Sequence, residues 1–155
     1  MPVHTSITIS FDVSHLSKEE LHKTFIAGFT NKKVAYNSSY MEDGRLTAKV
    51  KGLGNYKLAN DLVAPRITDP SFKEGSSLAG KSAFSMKISD NLSGIATFDA
   101  WINGKWALLH YDHKTRTVFH NFSDGISVEG RNDLKVTVTD NVGNSTTFET
   151  HFFRT

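Results

Sequence analysis

Two six-residue stretches carry the densest oxygen chemistry in the chain: Ser89-Asp90-Asn91-Leu92-Ser93-Gly94 and Thr139-Asp140-Asn141-Val142-Gly143-Asn144. Carboxylate, amide and backbone oxygens gathered in this way suit calcium, which takes about six to eight oxygen ligands. If the two stretches meet at one pole of a fold, Asp90, Asn91, Asp140, Asn141 and Asn144 are the candidate ligands. The same residues have a second use. Asp accepts a hydrogen bond from its own following backbone, and Asn and Gly tolerate positive φ, so each stretch also reads as a structural turn. A calcium patch and a pair of Asx turns are both compatible with these residues.

Two tryptophans offer another chemistry. Trp101 and Trp106 flank Asn103-Gly104, a hairpin signal in which both central residues adopt positive φ. Indoles on an exposed hairpin stack on sugar rings; buried, they pack a core or an interface between units. In the alternation around them, Ala96, Phe98, Ala100 and Ile102 share one face and Trp101 lies on the other with Ile95, while Trp106 alternates with Leu108 and is expected to pack.

Catalytic patterns are missing from the sequence. His110 and His113 are three apart, which in a strand sends them to opposite faces, and His120 and His151 fall in separate strands. There is no His-Glu-x-x-His and no His-x-His, so no zinc site is expected. No Gly-x-Ser-x-Gly marks a serine nucleophile, and no glycine-rich loop precedes a helix to cradle phosphate. The Asn-x-Ser/Thr sequons at Asn37, Asn91, Asn121 and Asn144 read as coincidental.

The elements that position these residues are strands. Runs such as Phe84-Ser85-Met86-Lys87-Ile88 and Leu134-Lys135-Val136-Thr137-Val138 alternate apolar and polar residues, the period of a half-buried strand. In the first part of the chain the expected strands are 7–13, 25–29, 34–36, 39–41, 46–50 and 56–59, with a turn at 30–33 and a hairpin at Asp43-Gly44. A capping box, Ser17 followed three residues later by Glu20, predicts one or two helical turns. Asp61, Pro65 and Asp69-Pro70 crowd the segment 60–70, which reads as a linker or crossover strand. Beyond it, strands are expected at 82–88, 95–102, 106–111, 117–122, 134–138 and 146–153. The fold class is therefore all-β: tandem immunoglobulin-like or fibronectin-like β-sandwich units with one short helix near the N-terminus. Residues 1–64 form the first unit, which reads as an incomplete sandwich, and 65–155 the second. In the first unit Ile7, Ile9, Phe11 and Val13 line up as an apolar face in need of cover.

Composition narrows the function classes. The 155 residues carry a formal charge of +2, with 18 Lys and Arg scattered against 16 Asp and Glu, so the basic footprint of nucleic-acid binding is missing. The absence of cysteine excludes disulfides, thiolate zinc sites and a cysteine nucleophile. No stretch approaches the roughly 18 apolar residues of a helical membrane span, and no signal peptide opens the chain. A strand begins almost at once, as expected of a piece of a longer protein.

The ordered series KGLGNYKLANDLVAPRIT, KISDNLSGI, INGKW and DLKVTVTDNVGNSTTF resembles the C-terminal region of secreted lysostaphin-like zinc metallopeptidases of Bacteroidetes-type bacteria, over about Phe11 to Phe153. That family's catalytic domain carries His-x-x-x-Asp and His-x-His zinc ligands together, and this chain has no His-x-His. The resemblance thus implies a non-catalytic accessory module, extracellular, periplasmic or at the cell envelope, that scaffolds, targets or shields a peptidase. Its partners would be its own catalytic domain and peptidoglycan or another glycan. The alternative is an independent glycan-binding or adhesive module.

Overall fold

The computed structural model describes residues 5–30 and 33–155. Its elements are β1 (Ile7–Asp12), α1 (Lys18–His22), β2 (Thr24–Thr30), β3 (Lys33–Asn37), β4 (Tyr40–Glu42), β5 (Arg45–Val50), β6 (Asn55–Asn60), β7 (Arg66–Thr68), β8 (Ala83–Ser89), β9 (Ile95–Ile102), β10 (Lys105–Ala107), β11 (His110–Asp112), β12 (Thr117–Asn121), a 3-10 turn (Phe122–Asp124), β13 (Arg131–Asp140) and β14 (Ser145–Phe153). The class is all-β with one short helix, as the alternation predicts. The middle of the expected turn at 30–33 lies outside the described residues. Two compact units divide the chain. Unit 1 is the chain through Val63 with the loops Asn91–Gly94 and Asn141–Gly143, and unit 2 is Ala64–Asp90, Ile95–Asp140 and Asn144–Thr155.

Unit 1 holds two three-stranded antiparallel sheets, ordered β1-β5-β4 and β3-β2-β6. Ile26 from one sheet packs with Leu46, Ala48 and Val50 from the other, and Val13 closes the cluster. The first strand's apolar face is covered more fully than its sequence suggests. Val13 is buried and Ile9 and Phe11 pack partly on this core, leaving only Ile7 of the four exposed. The helix starts at its capping box: Ser17 Oγ accepts from the Glu20 amide at 3.2 Å, and Glu20 Oε2 accepts from the Ser17 amide at 2.8 Å. Through that backbone hydrogen bond first, the Glu20 carboxyl is held below its ordinary 4.5.

Unit 2 is a sandwich of two four-stranded antiparallel sheets, β10-β9-β13-β14 and β11-β12-β8-β7. Inward residues of both sheets interleave: Phe84, Met86, Ile88 and Val118 meet Ala100, Ile102, Leu134, Val136, Val138 and Phe152. Four phenylalanines form its centre. Phe84 and Phe152 stand 6.0 Å apart between ring centroids, and Phe72 and Phe122 each lie within 5.9 Å of both. Tilted and edge-on contacts of this kind favour the ring quadrupoles beyond simple area burial.

Three expectations are corrected. The single strand expected at 106–111 is two: β10 pairs with β9 and β11 pairs with β12, so the chain changes sheet at Leu108-Leu109. Leu109 is buried at this crossing while Leu108 is 47% exposed. Ile95 shares the parity of Trp101 yet packs against the core, because a register shift at Thr139/Asp140 reorients the start of β9. Trp106 does not pack inward; it is 53% exposed.

Candidate ligand-binding face

Period two along β13 sends Leu134, Val136 and Val138 into the core and leaves Arg131, Asp133, Lys135 and Thr137 on the other side. The register then builds a row across the outer surface of the sheet: Trp106 opposite Trp101, Trp101 opposite Lys135, and Lys135 opposite Glu149. Directly opposed residues share a face and stand close enough to interact. The Lys135 ammonium lies 5.9 Å from the Trp101 ring centroid, a cation–π distance. The Trp106 indole is tethered through Nε1, which donates to Asp99 Oδ1 at 3.1 Å.

A second row runs beside the first. Asp133 stands opposite His151, whose Nδ1 lies 3.3 Å from Glu74 Oε1, and Arg131 Nε donates to Asp133 Oδ1 at 3.0 Å. Between the rows lies an open depression of about 590 Å3, lined by Trp101, Arg131, Asp133, Lys135, Glu149 and His151 among others. It combines one broad apolar surface with acceptors and donors of both signs. Such a surface can hold a ligand that has an apolar face and a polar rim.

The hairpin carrying both tryptophans is fixed by amides. Asn103 and Gly104 have φ of 52° and 77°, the left-handed pair that a two-residue hairpin loop requires. Asn103 Nδ2 donates to Asn132 Oδ1 at 3.0 Å, and Asn103 Oδ1 accepts from the Asp133 amide at 2.9 Å. The fully buried Asn132 also accepts from the Val128 amide and donates to the Val128 and Gly130 carbonyls.

The oxygen-rich turns separate by unit. In unit 2, Asp140 is buried and caps its own loop: Oδ1 accepts from the Asn144 amide at 2.9 Å and Oδ2 from Asn144 Nδ2 at 2.8 Å. Asp90, half-buried, brings one carboxylate oxygen within 4.8 Å of one from Asp140. In unit 1, Asn91 is exposed, while Asn141 Nδ2 donates to the Ser93 carbonyl at 2.8 Å and the Asn141 amide donates to the Gly94 carbonyl at 3.0 Å. Asp61, which the turn pattern does not single out, is buried there and accepts from the Ser93 amide at 2.9 Å. The Asp140 bonds close its own loop, as an Asx-type turn does, whereas Asp61 and Asn141 reach 32 and 48 residues along the chain to the backbone of Ser93.

Trp101 and Trp106 stand out in the sequence as candidates, and the charged residues beside them do not. The available signal was parity: Arg131, Asp133 and Lys135 alternate with the apolar residues of β13, as Trp101 does with those of β9.

A family model for the Zu5-like domain matches residues 1–61. No curated protein matches the chain. Among solved structures, the fibronectin(III)-like modules of Clostridium thermocellum CbhA are similar at 16% identity, with 96% of this chain and 85% of that chain covered and a TM-score of 0.46. CopC from Methylosinus trichosporium OB3b is similar at 13% identity, covering 57% of this chain and 90% of its own, with a TM-score of 0.43.

Proposed function

We propose that the chain is a non-catalytic binding module whose second unit holds glycan on the Trp101–Trp106 face. The observation that carries this reading is the row Trp106, Trp101, Lys135, Glu149 laid across four strands of one sheet. A pyranose ring presents C–H groups on its flat face and hydroxyls around its edge. The indoles would take the C–H face, and Lys135, Glu149, Asp133 and Arg131 the hydroxyls. Because the side chains sit on paired strands, little ordering is left to be done on binding.

The resemblance to the accessory region of lysostaphin-like metallopeptidases supports a narrower version of this proposal. There the module would work outside the cell or at its envelope, targeting, scaffolding or shielding a peptidase domain of the same parent protein, with peptidoglycan as the glycan. Among the described residues no helix is long and apolar enough to cross a membrane.

Sedimentation of the purified chain with insoluble peptidoglycan, paired with titration calorimetry against chitooligosaccharides, tests the reading. Binding to either that weakens in Trp106→Ala supports it; absence of binding to both, or binding unchanged in that variant, overturns it.

A further inference from the structure

Charge divides unit 1 between its two ends. Asp12 closes β1, and Glu42 and Asp43 lie on the β4–β5 hairpin beside it. Glu19 and Glu20 sit on the helix that follows β1, and Asp61 follows β6. Those are all the carboxylates of the unit. The other end is built from the start of β1, the β2–β3 turn and the segment 51–54, which carries the chain from one sheet to the other. The register gathers these parts within each sheet: Ile7 stands opposite Val50, and Phe29 stands opposite both Asn55 and Val34. Lys33, Lys49, Lys51 and Lys57 belong to this end and are exposed. The Lys57 ammonium lies 4.4 Å from the Phe29 ring centroid, and no carboxylate joins them.

Leu53 stands at the tip, between Gly52 and Gly54, and is 93% exposed. The loop is braced rather than folded back, because Tyr56 Oη donates to the Gly52 carbonyl at 2.8 Å. Ile7 and Val34 are also exposed at this end. Scattered single apolar residues are ordinary on a protein surface. Here the barest leucine is ringed by cations at the one end that has no carboxylate. A dissolved anionic polymer would meet the lysines and give Leu53 nothing to enter. A bilayer with anionic headgroups supplies both, charge at its surface and hydrocarbon about 5–10 Å below.

We propose that this end of unit 1 docks on an anionic lipid surface, with Leu53 entering the acyl boundary and the four lysines facing the headgroups. Contact of this size is peripheral and reversible, since one side chain buries far less than a lipid anchor does. Repulsion of the acidic end from the same surface sets the orientation of the unit. The glycan face lies in unit 2, and neither reading rests on the other.

Co-sedimentation of the full chain with phosphatidylcholine vesicles containing phosphatidylglycerol tests the surface. The expected result is binding that weakens with added salt and is lost on phosphatidylcholine alone. Leu53→Ser, a change in open solvent, should weaken binding about tenfold, and Lys51→Gln about fivefold. Leu62→Ser, which removes another exposed leucine beside Asp61 at the acidic end, should leave binding unchanged. Soluble polyphosphate is the comparison arm. Binding to it as tight as to the vesicles, in wild type and Leu53→Ser alike, would reveal a charge-only site and overturn the proposal. No sedimentation with the anionic vesicles, equal sedimentation with phosphatidylcholine alone, or equal losses in Leu53→Ser and Leu62→Ser would each overturn it too.

Discussion

The side-chain amide of Asn103 donates to the side-chain oxygen of Asn132 across 3.0 Å, joining the loop that carries two tryptophans to the base of the neighbouring strand. Asn132 satisfies four polar groups at once: Asn103 Nδ2, the Val128 amide and the carbonyls of Val128 and Gly130. Truncation to alanine strands several of these inside the protein, at a cost of about 2–3 kcal/mol. Urea unfolding of Asn132→Ala should show that loss, and glycan binding should weaken with it because the hairpin loses its anchor.

Trp106→Ala should leave stability within about 0.5 kcal/mol, since the side chain is half exposed and surface changes of this kind are nearly neutral. Glycan affinity, measured by calorimetry, should fall about tenfold, equivalent to about 1.4 kcal/mol of lost stacking. Asp99→Ala, which frees the indole Nε1, should reduce affinity in the same direction but less.

Much of this was legible in the sequence, and the exceptions have identifiable causes. Period-two alternation and Asn-Gly or Asp-Gly turns placed nearly every strand, β9 to the residue. The sheet change at Leu108-Leu109 was hidden because the residues from Trp106 to Tyr111 read as one unbroken strand-forming run. The inward turn of Ile95 was hidden because a bulge breaks parity without a marker residue. The pairing of His120 with Asp124 was invisible for another reason. Four residues apart on a continuous strand they would stand about 13 Å from one another. Only the 3-10 turn directly after β12 folds Asp124 back to 3.3 Å.

Phe84 touches Phe72, Phe122, Phe152 and His120 and is 1% exposed. Phe84→Ala opens a cavity at the centre of unit 2, and the expected cost is about 3–5 kcal/mol. Near-ultraviolet circular dichroism during urea unfolding would register it as an earlier midpoint.

Glu20 sets a pH dependence with a definite sign. Its carboxyl is held below its ordinary value of 4.5, chiefly by the Ser17 backbone N–H and then by the Ser17 side chain. A depressed carboxylate contributes stability that is fully present above the unfolded value and is lost as pH falls through the folded one. The Ser17 amide resonance should therefore move on acidification below 4.5, and Glu20→Gln should abolish that movement.

The brevity of β10 has a consequence for behaviour in solution. Strand edges with free amides and carbonyls recruit other chains, and exposed aromatic residues add to the pull. Here the edge beside Trp106 is three residues long, begins with a lysine, and ends where the backbone leaves for the opposite sheet. A neighbouring molecule has too short a rail on which to add a strand. The protein can therefore display a sticky aromatic surface at high local concentration and still resist fibril growth from that edge.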